Sequence, residues 1–175
     1  SVRVGIGGGS ICSTRIQTGH GVPTLASVID CAKSRYAGTH AIIADGGIKT
    51  SGDIVKAIGA GADFVMIGSL FSGTTETPGK ILIKDDGSKV KEYRGMASQA
   101  AQMAWRGRTS SLEGISTFVP FKGKVKYIVD DLVNGIKSGL SYTGSRSIEE
   151  FQARAYFIQQ TQAGQSESST HILKR

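Results

Sequence analysis

Val4-Gly5-Ile6-Gly7-Gly8-Gly9-Ser10-Ile11-Cys12-Ser13-Thr14-Arg15 reads as the end of a strand, a glycine-rich turn, and a cysteine three residues beyond the last turn glycine. Glycine lets a backbone bend freely and approach a ligand closely, and a bare turn leaves its N–H groups open to an anion. Three readings fit the stretch: a phosphate cradle, a metal loop, or the seat of a nucleophile.

The surrounding chain repeats the device. Ala41-Ile42-Ile43-Ala44 runs into Asp45-Gly46-Gly47, and Phe64-Val65-Met66-Ile67 runs into Gly68-Ser69. Short continuous apolar runs suit parallel strands buried on both faces. Between them, Pro23 to Lys33 carries a helical stripe of Leu25, Val28, Ile29 and Ala32. Ser51 fits an N-cap before 53–58, with Gly59 or Gly61 as the stop. The first seventy or so residues are therefore expected to run β-α-β-α-β. Strand ends of such an array meet at one end of the sheet, where α/β proteins bind ligands. Three glycine turns there, two with Ser10 and Ser69, favour phosphate binding over simple tight connections.

The pattern then changes. Asp85-Asp86-Gly87-Ser88 between two strand-like runs signals a hairpin. Ser98 to Trp105 suits a helix, and Arg106 to Thr117 reads as a mobile loop. Tyr127 to Ser138 is amphipathic and is expected to end near Gly139; Ser147, with Glu149 and Glu150, opens another helix over Ile148 to Arg154. The Ser-, Gln- and Glu-rich tail, Gln162 to Thr170, alone resembles a disordered segment.

The chain has 175 residues, which suggests one domain. Its provisional parts are 1–79 with the glycine turns, 80–123 with the hairpin and flap, and 124–175 with C-terminal helices and tail. It contains 24 glycines, about twice the average usage of roughly 7%. Net charge is +7, and Lys80 to Lys126 holds ten Lys or Arg against four acids. No aromatic interleaving accompanies that charge, so nucleic acid is not the expected partner and an anionic small ligand is. Two cysteines build no disulfide framework, and no apolar run approaches the roughly 20 residues of a membrane helix. A soluble, cytoplasmic protein is expected.

Individual side chains sharpen the site. Asp45, just after a buried strand, can accept two hydrogen bonds from a sugar diol, though a turn role is the ordinary one. Cys12 near backbone donors can act as a thiolate nucleophile. Cys31 is expected to be a small buried apolar residue. His20, His40 and His171 show no metal-ligand spacing.

Six motifs, GIGGGSICSTR, ADGGI, GADFVMIGSL, YRGM, VPFKG and SGLSYTG, occur in this order. In that order they resemble the inosine monophosphate dehydrogenase / guanosine monophosphate reductase family, from about Val2 to Lys174. The resemblance implies the C-terminal portion of an eight-stranded β/α (TIM) barrel, roughly strands six to eight plus a flap hairpin and C-terminal helices. It implies a purine nucleotide oxidoreductase of purine nucleotide biosynthesis that acts on a purine nucleoside monophosphate. Cys12 would attack purine C2 and form a thioimidate, with Thr14 helping to activate water. Ser10, Gly47, Gly68, Ser69 and Tyr93 would hold the phosphate. Asp45, with Gly46 beside it, would bind the ribose, and Gly95, Met96 and Glu113 the base. Carbonyls of Gly7, Gly9 and Cys12 would bind a monovalent cation, expected to be potassium. Glu167, Ser168 and Ser169 of a neighbouring subunit would complete that cage in a homotetramer. The contacts to the NAD or NADPH cofactor would lie in a front half-barrel, so none is assigned here.

The motifs split between the two activities. SGLSYTG, AGQSES and GHGVP resemble the dehydrogenase, which oxidises inosine monophosphate with NAD, and this is the leading expectation. The flap lacks the dehydrogenase Arg-Tyr pair, and Arg106 or Arg108 would have to supply the base. Its short length and VPFKG resemble the NADPH-dependent reductase, yet Gln99 stands where that enzyme carries Glu. A non-catalytic nucleotide-binding or assembly subunit is the third expectation.

Overall fold

The computed structural model describes residues 1–34, 40–110 and 113–170. The expected β-α-β-α-β unit is present. Strands β1 (Val2–Val4), β2 (Ile42–Asp45) and β3 (Phe64–Met66) form a parallel sheet in that order. A short helix α1 (Thr14–Thr18) and α2 (Thr24–Lys33) link β1 to β2, and α3 (Ser51–Gly59) links β2 to β3.

Alternation along the strands divides the sheet. Val4, Ile42 and Ala44 are buried with Val28 of α2 and Ile54, Ala57 and Ile58 of α3 in one core. The register pairs Arg3 with Ile43, Ile43 with Phe64, and Asp45 with Met66 on the opposite face. Phe64 is 61% exposed there and Met66 40%. The apolar runs therefore suggested burial on both faces, while the helices cover only one. Cys31, expected to be buried, is also exposed, because it lies on the outer side of α2.

The N-cap of α3 is Thr50, one residue before the expected Ser51. Thr50 accepts from Asp53 N–H at 3.3 Å, and Asp53 Oδ2 accepts from Thr50 N–H at 3.0 Å, a reciprocal capping box. Burial opposes the Asp53 charge, but bonds from Lys49 N–H, Thr50 and Lys56 outweigh it and hold the carboxyl below the ordinary aspartate range. A depressed carboxyl stabilises the fold above the unfolded value, about 3.9, and the gain is lost as pH falls through the folded value. Thr50→Ala should cost about 1 kcal/mol in urea unfolding at neutral pH, with the deficit shrinking below about pH 4.

The expected hairpin forms from β4 (Leu82–Ile83) and β5 (Lys89–Arg94), and a third strand, β6 (Ser116–Pro120), pairs antiparallel with β5. The stretch expected to be loop through Thr117 thus turns into strand at Ser116. Helix α4 (Gln99–Arg106) stands between β5 and β6, with Ser98 as its N-cap.

Helix α5 (Val125–Tyr142) starts before the expected Tyr127 and runs through Gly139 rather than ending near it. Gly135 and Gly139 lie one turn apart against α3. A Cβ at Gly139 would sit 2.7 Å from Val55 Cγ2, so glycine here serves close packing rather than a stop. Helix α6 (Ile148–Arg154) begins at Ser147 as expected, and its Phe151 joins the core. The tail that resembles a disordered segment contains a short helix, α7 (Gln162–Glu167), capped by Thr161. No helix among the described residues is long and apolar enough to cross a membrane.

Candidate active site

The loop after β1 is pinned by a segment about a hundred positions away. Ser13 N–H donates to the Glu113 carbonyl at 2.9 Å, Ile115 N–H donates to Ile11 O at 3.1 Å, and Cys12 bridges Gly114. This short antiparallel pairing holds the Glu113 side chain over Thr14. Thr14 Oγ1 lies 2.6 Å from Glu113 Oε2 and 3.1 Å from Cys12 Sγ. A hydroxyl has one proton, and a carboxylate can only accept. Thr14 therefore donates to Glu113, and its remaining lone pair faces the half-buried Cys12 thiol as the donor. The chain Cys12 to Thr14 to Glu113 is a route for moving the thiol proton onto a carboxylate.

A third segment joins from the end of β5. Gly95 N–H donates to Ile115 O and Ser98 N–H to Gly95 O, both at 3.0 Å. Gly95 also faces Ile11, whose Cδ1 would lie 3.5 Å from an added Cβ. Gly95 and Glu113, both expected at the base, thus converge on the cysteine loop.

Gly68, Tyr93 and Met96 share one groove of about 450 Å³ with Ser72, Gly73 and Thr77. The Tyr93 hydroxyl approaches Gly68 closely enough that a Cβ there would stand 3.1 Å from it. Gly46 and Gly47 instead line a second cavity with Gly8, between α2 and α3. Gly46, at φ +94°, lies against Gly8, so the first two turns pack on each other. Ser10 is exposed on its loop. The Ser69 carbonyl accepts from Ser72 Oγ at 2.6 Å and from Lys122 Nζ at 3.0 Å. Burial holds the Lys122 ammonium below the ordinary lysine range.

Asp45 does not stand alone at the strand end. Arg3 Nε lies 3.3 Å from its carboxylate on the open sheet face, a partner the sequence reading did not anticipate. Arg106 lies over the Trp105 ring, 4.8 Å from its centroid, and Arg108 is exposed beyond the Gly107 cap. The group hydrogen-bonded to Thr14 is Glu113, rather than either arginine expected as a base.

The proposed cation donors Gly7, Gly9 and Cys12 lie on one loop, where the Gly9 carbonyl already accepts Cys12 N–H at 3.1 Å. Carbonyl oxygens are the right donor class for an alkali cation, but three of them do not close a cage. Glu167 ends α7, with Ser168 and Ser169 directly after it. Among the described residues, no cluster of three His, Cys, Asp or Glu side chains could hold a metal ion. His171 lies outside the described residues.

Three arrangements escaped the sequence reading: the Arg3–Asp45 ion pair, the burial of Lys91 and the Glu113–Thr14 hydrogen bond. A lysine in a Lys-rich hairpin looks solvated, yet Lys91 is only 2% exposed. Thr14 and Glu113 are 99 positions apart, and nothing local to either signals the pairing.

The IMP dehydrogenase / GMP reductase domain model matches residues 1–171. The chain is 47% identical to GMP reductase of Leishmania major over 186 aligned positions, covering 99% of this chain and 37% of that protein. It is 46% identical to inosine-5'-monophosphate dehydrogenase of Nitrosopumilus maritimus strain SCM1, covering 98% of this chain and 38% of that protein. An alanine-for-cysteine variant of Trypanosoma brucei GMP reductase, solved with guanosine 5'-monophosphate, matches with TM-score 0.90 at 50% identity. That match covers 97% of this chain and 36% of the solved chain, so the chain spans a little over a third of these relatives. With a glycine loop carrying a hydrogen-bonded cysteine and a nearly full-length family match, this chain belongs to the IMP dehydrogenase / GMP reductase family.

Proposed function

We propose that this chain supplies the nucleophile and nucleotide-binding part of a purine nucleoside monophosphate oxidoreductase, with Cys12 bonding covalently to purine C2. The observation that carries the reading is the Cys12–Thr14–Glu113 chain. As Sγ attacks C2, the thiol proton passes to Thr14 and the Thr14 proton to Glu113, so the nucleophile forms without a free hydroxide. A bound nicotinamide cofactor would accept or supply the hydride at C2.

In the oxidative direction, hydride leaves C2 of inosine monophosphate and a thioimidate remains on Cys12. Water then adds at C2 and the C–S bond breaks: the relay returns its proton to the departing Cys12 sulfur, then takes one proton from water and releases it to solvent, while the other water proton stays on the product. The dehydrogenase-like C-terminal motifs and the Nitrosopumilus relative support this direction. In the reductive direction, the proton held by Glu113 goes to the leaving amino group of guanosine monophosphate, and hydride addition at C2 expels the thiolate. The flap without Arg-Tyr and the Leishmania and Trypanosoma relatives support this second direction.

The open sheet face with Arg3, Phe64 and Met66 supports placing these strands as the last three of an eight-stranded barrel. A neighbouring subunit's tail would complete the cation cage. The test uses both cysteines of one molecule. Inosine or guanosine monophosphate should slow alkylation of Cys12 by iodoacetamide while leaving exposed Cys31 unchanged. Equal alkylation with and without nucleotide would sink the proposal. NADH formation from inosine monophosphate and NAD would then exclude the reductive direction, and NADPH consumption with guanosine monophosphate the oxidative one.

A further inference from the structure

Lys91 is 2% exposed, yet its ammonium has no carboxylate partner among the described residues. It donates to the Thr74 carbonyl at 3.0 Å and also to the Thr77 carbonyl. An ammonium has three protons, and burying it without a counter-charge is costly. Neutral donors could bond two carbonyls at less cost. The charge is therefore the feature that needs a reason.

Position supplies one. Alternate residues of a strand share a face, so Lys91 and Tyr93 both leave β5 on the same side. Lys91 fastens the loop at Thr74 and Thr77, and Tyr93 meets it at Gly68. Thr77, Gly68 and Tyr93 all line the 450 Å³ groove. The buried cation therefore stands directly behind the groove wall, where an anion would be its counter-charge.

We infer that Lys91 is a positioning residue for nucleotide phosphate, shaping the 68–77 loop around it and supplying positive charge from behind. This rests on reading the groove as a nucleotide site. A phosphate dianion in the groove offsets the charge that the two carbonyls leave uncompensated. Bound phosphate thereby recovers the part of the burial cost that the two carbonyls do not.

The test compares nucleotide with nucleoside. Binding of inosine monophosphate, guanosine monophosphate, inosine and guanosine is measured by calorimetry for wild type, Lys91→Met and Lys91→Arg. Lys91→Met should lose about tenfold of the advantage of nucleotide over nucleoside, with nucleoside affinity unchanged. Lys91→Arg, which keeps the charge, should retain most of that advantage. Equal ratios in wild type and Lys91→Met overturn the inference while leaving the nucleotide site intact. If Lys91→Met does not fold, Lys91→Arg decides: loss of the phosphate advantage despite the retained charge overturns the electrostatic role. If wild type binds nucleotide no better than nucleoside, the reading of the groove fails first.

Discussion

Cys12→Ala is expected to abolish both the covalent purine adduct and turnover, while inosine or guanosine monophosphate binding stays within about twofold. Removing the nucleophile from a concerted site costs on the order of 10⁴-fold or more, because the remaining groups cannot replace the bond it forms. Binding is spared because Cys12 does not line the groove formed with Gly68 and Tyr93. Intact-mass measurement after incubation with nucleotide and cofactor checks the adduct, and nicotinamide absorbance checks turnover. Turnover surviving in Cys12→Ala would remove Cys12 from the mechanism. Glu113→Gln gives a graded companion, since an amide still bonds Thr14 but cannot take the proton.

The largest effect on folding is expected at Gly5. Its φ is +125°, a conformation that side chains rarely adopt, and an added Cβ would stand 2.1 Å from the Asp45 carbonyl oxygen. That obstacle is backbone and cannot rotate away. Strain at such a φ costs about 1–3 kcal/mol and overpacking about 1–3 kcal/mol, so Gly5→Ala should lose roughly 2–6 kcal/mol. It would also spread β1 from β2 where Arg3 meets Asp45. Gly87→Ala is the control: φ is +78°, but nothing lies within 4 Å of the added atom. Only the left-handed strain remains there, about 1–2 kcal/mol. Urea unfolding of the two variants separates the contributions, and equal losses would show that the contact at Asp45 relaxes freely.

These residues show where sequence reading stops. A helical stripe located α2, a cap and stop glycines located α3, and the Asp-Gly turn located the hairpin, because these signals depend on near neighbours. Sequence reading missed β6, because Ser116 to Pro120 becomes a strand only by pairing with β5. It placed a stop at Gly139, since glycine commonly ends helices, but there the close approach of α3 requires the missing side chain. Cys31 was misassigned because α2 buries only the side that meets the sheet.

The sequence by itself determined the β-α-β-α-β order of the first seventy or so residues, the three glycine turns and the family, because motifs and periodicity are local and ordered along the chain. Only the tertiary structure decided that Thr14 donates a hydrogen bond to Glu113, that Arg3 pairs with Asp45, and that Lys91 is buried against the Thr74 and Thr77 carbonyls. Each of those depends on segments far apart in the chain. Their contact is set by β-pairing and sheet packing, which leave no mark on the residues beside them.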